Sequence, residues 1–402
     1  MTQSNLPTLA IRNEDPPSVA DLETPTIVAM GGGLTGSLFA LAASDAGFPV
    51  TLVAKRSANR PPLADDPRAL ALSKFSQQYL AGLDVWSSLA NGTAPITRID
   101  VTERHRIGAS SLDADACGVD AFGYVTTHRD MARILNEHLE ARVGRPNDGV
   151  TFIDPDHFDE TQLAPALWVG ADAANDMVRS RLGIDVEQRD YHQVAMGFRV
   201  RLAAPAPGLA VERFTADGPV ALLPFADGWM GGIWTVRADH APALLQATEQ
   251  AFARTFQRTL GWRFGRVEAL GERHGFALRS QLARGIIGAR GVLIGGAASS
   301  VHPIGGQGFN LALRDVAALV HRLKVARDSG RDIGAPDVLE PFARIRWADH
   351  RRIRVATDSL NALFSNRSSA LGAARGLGLL LFDLMPFAKR GLTRFAMGYV
   401  QR

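Results

Sequence analysis

Six residues near the start of the chain constrain its fold more than any others. They are Gly31, Gly32, Gly33, Leu34, Thr35 and Gly36, set between an apolar run, IVAM at 27–30, and a helix-like stretch at 37–46. Gly47 ends that stretch, and a second apolar run follows at 48–53. The pattern predicts strand, turn, helix, strand. Gly31, Gly33 and Gly36 make G-x-G-x-x-G. The first glycine permits a tight turn, the second lets backbone approach a pyrophosphate, and the third permits close helix packing. Backbone N–H groups at the helix start favour the anion. The second strand of such a unit often ends in an acid about 20 residues on, which accepts from a ribose hydroxyl. Ala54 stands there, followed by Lys55 and Arg56. An alanine accepts nothing. The basic pair suits either a 2′-phosphate or a solvated surface, so this motif alone leaves FAD and NADP both open.

The 402 residues allow two or three domains. A net charge of +3, with no dense basic tract and no zinc-finger spacing, argues against nucleic acid as a partner. Cys117 is the only cysteine, which excludes an intrachain disulfide, disfavours a thiol metal cluster and fits a reducing, cytoplasmic compartment. No metal centre is expected. Residues 1–24 form a polar, proline-containing tail without a basic start or an apolar run. No stretch approaches 18 apolar residues in succession, so a membrane-spanning helix is not expected.

Further along, residues 61–69 read as a loop and 70–83 as helix-like. Residues 96–127 are strand-rich with a turn near Gly108, and Asp130 is a candidate helix cap. Residues 193–200, 220–225 and 230–236 read as strands of a second, sheet-containing domain, covered by a helix at 241–260. A late segment, GGAASSVHPIGGQGFNLALRD at 295–315, follows another short strand and precedes a helix that begins near Phe309. Its glycines allow backbone to approach a flat ring, Pro303 stiffens the turn, and Gln307 and Asn310 offer hydrogen bonds. The helix start would turn its positive end to an electron-rich ring edge. His302 is a pocket candidate whose ordinary pKa permits proton transfer near neutrality. Arg314 and Asp315 suit a helix cap or a pair better than chemistry.

Several segments resemble the ubiquinone-biosynthesis branch of FAD-dependent aromatic hydroxylases, the UbiH/UbiF type. They are DPRALALS at 66–73, FTADGPVALLPFADG at 214–228, GERHGFALR at 271–279 and HPIGGQGFNLALRDVAAL at 302–319; the similarity runs from about residue 26 to about residue 400. The resemblance implies an α/β fold: a Rossmann-like FAD-binding domain with an inserted mixed-sheet substrate domain. Its expected parts are a tail at 1–24, the FAD domain at 25–95, 128–188 and 276–345, the sheet domain at 96–127 and 189–275, and a helical region at 346–402. It also implies that NAD(P)H reduces FAD, and that oxygen then forms a C4a-hydroperoxyflavin whose terminal oxygen hydroxylates an electron-rich phenolic ring. The cofactor-binding set it implies is Gly31, Gly33, Gly36, Arg68, Arg129, Asp172, Gly296, Pro303, Gly305, Gly306, Gln307, Gly308, Phe309 and Asn310. His302 falls at the substrate pocket, and no residue is singled out as the catalytic base.

The implied substrate is a polyprenylated phenol or quinone precursor, with other ubiquinone-biosynthesis proteins as partners. The segment 371–400, rich in Leu, Phe, Met and basic residues, suits either packing on the flavin domain or peripheral contact with the inner face of the membrane. The chain also departs from the family pattern. Ala54 replaces the ribose acid. In GADAANDMVR at 170–179, Ala173 replaces a glycine and Asp176 a serine, while Asp172 and Arg179 remain. Gly296 replaces an Asp or Asn that bonds the ribityl chain. Two readings follow: an active hydroxylase, or a degenerate homologue that binds a prenylated intermediate or an active partner.

Overall fold

Ile27–Met30 is wholly buried and runs parallel to Val50–Val53 on one side and Leu167–Gly170 on the other. A strand covered on both faces needs apolar side chains on both, so IVAM shows no alternation. In the computed structural model, which describes residues 27–55, 68–105, 109–171, 177–203, 206–364 and 397–398, this strand belongs to a six-stranded sheet. The order is Ile287–Gly288, Gly291–Leu293, Leu167–Gly170, Ile27–Met30, Val50–Val53, Val150–Ile153. The chain builds outward to one side of its first strand and then returns to build on the other. Ligands of such sheets bind outside the carboxyl ends of the strands where the order reverses. Gly31 to Gly36 stand at that place. Helices Leu34–Asp45, His128–Glu140 and Gln307–Asp328 pack Phe39, Leu41, Leu135, Leu313 and Leu319 into the main core.

A second sheet of eight strands runs Ser299–Ser300, Val267–Ala283, Val186–Leu202, Met230–Arg237, Val220–Pro224, Leu209–Phe214, Arg98–Glu103, Ala109–Asp113. Alternation along these strands separates two faces. Met196, Phe198, Val200, Val211, Leu222 and Trp234 turn to one side and meet Phe252 and Phe256 of the helix Glu249–Leu260. Residues such as Ala210 and Leu223 turn to the other, towards Ile96 and Phe122. A small sheet, Ala69–Ser73 with Gly123–Thr127 and Ala94–Ile96, lies on that side.

Four local expectations are revised. Residues 70–73 are not helical: Ala69–Ser73 is a strand paired with Gly123–Thr127, and the helix starts at Lys74, where Ser73 accepts from the Ser76 N–H. Leu70 and Leu72 fit a period of two as well as a helical one, and pairing decides. Thr127, not Asp130, caps His128–Glu140, because its hydroxyl accepts from the Asp130 N–H at 3.0 Å. The stretch 241–260 is two helices, Ala241–Gln246 and Glu249–Leu260, since Thr248 caps the second. The late helix begins at Gln307, ahead of Phe309. The framing strands Val186–Leu202 and Val267–Ala283 extend past 189 and 275. Gly108 and residues 1–24 lie outside the described residues.

Helix Pro336–Phe364 packs on Gln307–Asp328 around a buried charge network. Asp315 is fully buried and accepts from Arg346 Nε at 2.7 Å and from the Gly295 N–H at 2.8 Å, with His350 Nε2 at 3.0 Å. Arg314 and Arg346 both donate to Asp349. Burial pushes the Asp315 carboxyl up, but the charges of His350 and Arg346 outweigh it and hold the group at about 2. Arg314 and Asp315 thus pair rather than react. Removing one member of such a network leaves an uncompensated buried charge. D315N should therefore cost about 3 kcal/mol or more in urea unfolding. A loss below about 1 kcal/mol would show that Asp349 alone satisfies Arg346.

Candidate flavin and substrate site

Gly31 has φ 117 and donates its N–H to the Val53 carbonyl at 3.1 Å. A Cβ on Gly36 would lie 1.8 Å from the Gly31 carbonyl oxygen, so the helix seats against the loop only because residue 36 has no side chain. Gly33 differs. It precedes the helix in extended conformation, is exposed, and a Cβ there would have no atom within 4 Å. The helix start has no side-chain cap. Open space before uncapped N–H groups and a helix dipole is a cradle for a pyrophosphate. Beside it, Ala54 is buried, and its methyl would lie 2.5 Å from a Cβ on Gly32. Lys55 reaches Asp156 at 2.7 Å, both largely exposed, so its charge already has a surface partner. Arg56 lies outside the described residues, as do Asp172, Ala173 and Asp176.

Arg68 opens the small sheet. Its guanidinium carbon stands 4.4 Å from the centre of the Phe276 ring, and its stem passes over Gly197. Phe276 and Gly197 belong to the second sheet, so Arg68 lies between the two domains. The Arg68 carbonyl accepts from the His128 N–H at 2.9 Å, which sets the next helix, and exposed Arg129, close by.

The late segment forms the other wall. Gly295, with φ 52, is anchored on Asp315, and the Gly296 carbonyl accepts from Gln281 Nε2 at 2.9 Å. Gly305 and Gly306 have φ 69 and 61, a left-handed pair that glycine adopts at no steric cost. Cβ atoms at Gly305 and Gly308 would meet nothing within 4 Å. Gln307 donates to the Gly305 carbonyl, while its Oε1 is buried without a partner. Pro303 precedes this turn, and Phe309 is half-buried against the core. Asn310 is spoken for: it accepts from the Ser73 N–H and Ser76 hydroxyl and donates to the Ala71 and Gly306 carbonyls.

His302 is 1% exposed, and neither ring nitrogen has a partner. Its ring meets Tyr191 edge-on at 4.9 Å, and the Tyr191 hydroxyl donates to Asp358. Burial lowers the His302 pKa to about 4 against the opposing pull of Asp358. The imidazole is therefore neutral at physiological pH, with one donor and one acceptor unspent, and is not poised for proton transfer near neutrality. Tyr191, Gln281, Phe276 and Asp358 escaped the sequence reading. Only Phe276 fell in a recognised motif; the others are polar residues in strands and a helix with nothing local to mark them. The orphaned Gln307 and His302 atoms, the two open glycine turns and the uncapped helix starts fit a dinucleotide with a flat ring.

Fold and site together define a dinucleotide-binding α/β protein with an inserted sheet domain. Residues 23–332 match the family described as the FAD binding domain, and the chain belongs to that family as an FAD-dependent monooxygenase of the aromatic-hydroxylase type. It is 31% identical to ubiquinone hydroxylase UbiL of Rhodospirillum rubrum, across 96% of this chain and 93% of that one. With 3-demethoxyubiquinol 3-hydroxylase of Escherichia coli the identity is 30%, across 93% and 99%. The fold is shared with p-nitrophenol 4-monooxygenase of Pseudomonas putida: TM-score 0.75, 17% identity, 94% of this chain and 99% of that one. Among the described residues no helix is long and apolar enough to cross a membrane.

Two outcomes follow. G33A should leave the melting temperature nearly unchanged yet weaken FAD binding at least tenfold in a flavin titration, while G36A should destabilise the fold itself by about 1–3 kcal/mol. Equal effects at the two positions would remove the distinction between cradle and packing. For His302, the folded pKa lies below the ordinary 6.5, so its contribution to stability is full above 6.5 and is lost as pH falls towards 4. H302N should flatten the acid limb of the stability curve across that window.

Proposed function

We propose that this chain hydroxylates the aromatic ring of a polyprenylated phenol or quinol precursor of ubiquinone, taking its electrons from NAD(P)H. The observation that carries this reading is Arg68, whose stem lies over Gly197 and whose guanidinium lies over the Phe276 ring of the second sheet, on the segment that Asn310 ties to the Gly306 turn. A bound flavin supplies reduction by NAD(P)H and activation of oxygen. The protein supplies placement and a dry site. Gly33 and the helix after it would hold the pyrophosphate; Gly305 to Gly308 and Gln307 would border the ring; neutral His302 would donate or accept one bond beside it.

The substrate class is supported by the two ubiquinone-pathway relatives, each similar over nearly the whole chain. A polyprenyl tail calls for delivery from an apolar phase. We therefore take the substrate to be received at the inner face of the membrane, with other ubiquinone-biosynthesis proteins as neighbours. Segment 371–400, proposed for that contact, lies outside the described residues apart from Met397 and Gly398.

Gently purified protein supplemented with FAD should show bound-flavin absorption bands. A short-chain prenylated phenol should then stimulate NAD(P)H oxidation and yield a product heavier by one oxygen. Flavin bands with NAD(P)H oxidation but no oxygenated product from any prenylated phenol would sink the substrate assignment. No flavin signal after reconstitution would sink the reading as a whole.

A further inference from the structure

Strand Leu209–Phe214 alternates. Leu209 and Val211 face the helix layer, and Arg213 on the same side donates to the Thr259 carbonyl and the Thr102 hydroxyl. Ala210, Glu212 and Phe214 therefore face the other side, where Ala210 meets Ile96 and Phe122 and Phe214 meets Phe364. Glu212 is the one acid on that face of the strand. Its side chain is partly exposed as a whole, but Oε1 is buried with no hydrogen-bond partner. A buried oxygen in that state has lost its bonds to water and gained none, so a fold that keeps it calls for another reason.

Register shows where the carboxyl stands. Gly197 pairs with Ile233, Ile233 with Ala221, and Ala221 with Glu212. These four residues form one row across the sheet, on one face. Arg68 stands over the Gly197 end. Glu212 closes the row three strands away, at ~14 Å for strands ~4.8 Å apart. Between them the row offers only Ile233 and Ala221, an apolar floor about as long as a substituted aromatic ring and its hydroxyl. Phe214, stacked on Phe364 at 3.7 Å, bounds the row on one side.

We propose that Glu212 binds the ring hydroxyl of the phenolic substrate and takes its proton. The inference rests on the hydroxylase reading above. The phenol O–H bond breaks, the proton goes to a Glu212 carboxylate oxygen, and the electron pair stays on the phenolic oxygen. The resulting phenolate raises electron density at the ring carbons, which electrophilic oxygen requires. The proton leaves to solvent as product departs.

The surroundings suit this role. Burial pushes the Glu212 carboxyl up to about 8. An ordinary glutamate lies roughly 6 pKa units below a phenol; at about 8 the gap is roughly 2, so the two share a proton far more evenly. The neighbours that register places beside Glu212 are neutral: Ala221 and Leu223 from one neighbouring strand, Val101 from the other, Ile233 beyond, and Phe364 of the helix stacked on Phe214. The charged groups along the row are Arg68 over its Gly197 end, Arg199 two residues from Gly197 on the same strand face, and, at the other end, Glu103, paired with Phe214, and Arg104, whose N–H donates to the Phe214 carbonyl.

A mutant–ligand cycle on the FAD-loaded enzyme tests this. Calorimetric titration would compare 4-methoxyphenol with 4-methylanisole, which replaces the hydroxyl with a methyl group. The wild type should prefer the phenol by tenfold or more, and E212L should abolish the preference. Any general effect of the substitution on the fold cancels in that ratio. E212Q should keep part of the preference but lose at least about 100-fold in product formation, with its flavin spectrum unchanged. An E212L ratio equal to the wild type's, no preference in the wild type, or E212Q turnover within twofold would each overturn the proposal. Failure of the hydroxylase reading would look different: the wild type takes up no flavin at all, or takes it up and yields no oxygenated product while the ligand ratio still reports on Glu212.

Discussion

Asp315 is the point on which the late half of the molecule is hung. One fully buried carboxylate receives the N–H of Gly295, the guanidinium of Arg346 and the ring of His350. These groups come from the segment after the last strand of the first sheet and from the helix Pro336–Phe364, while Asp315 itself sits on Gln307–Asp328. A buried network of this kind is poor evidence for net stability, because desolvation offsets much of the attraction. What it fixes is geometry. Gly295 takes φ 52 where the chain leaves the sheet, and Asp315 holds that turn from beneath.

A second polar hub plays the same part for Arg68. Asn310 was expected to offer its amide to a cofactor. Instead it joins Ala71, Ser73 and Ser76 to Gly306. The segment after Arg68 and the glycine turn of the late loop are thereby locked together, although they are 239 residues apart at the Ala71 bond. With its amide used within the protein, Asn310 ties the small sheet to the late loop.

The first sheet could be read from the chain because its strands are short, apolar and flanked by glycines that the fold requires. Gly36 is the clearest case, since the contact that forbids a Cβ lies within the same motif. The late loop was legible for the same reason. What the sequence hid is whatever depends on register. Glu212 looks like any surface acid in VERFT until strand pairing sets it in a row with Gly197. For His302, a pocket candidate whose ordinary pKa permits proton transfer, burial, a property of the whole fold, holds the ring neutral. Residues 70–73 show the local limit: the helical pattern of the residues that follow them hides a strand whose pairing with Gly123–Thr127 needs a distant partner, with Gly123, whose missing Cβ leaves room for the Leu72 carbonyl, at its end.

The strands Val186–Leu202 and Val267–Ala283 run antiparallel for 17 residues each, a ribbon of ~56 Å at ~3.3 Å per residue. At one end they carry the sheet over the aromatic helix layer; at the other, Gln281 and Leu282 pair with Ser300 and Ser299 of the flavin domain. A ribbon that pairs with strands at both ends ties them through backbone hydrogen bonds, so relative movement has to bend or break that pairing, most readily at its register shifts between Asp190 and Val194 and between Phe198 and Val200.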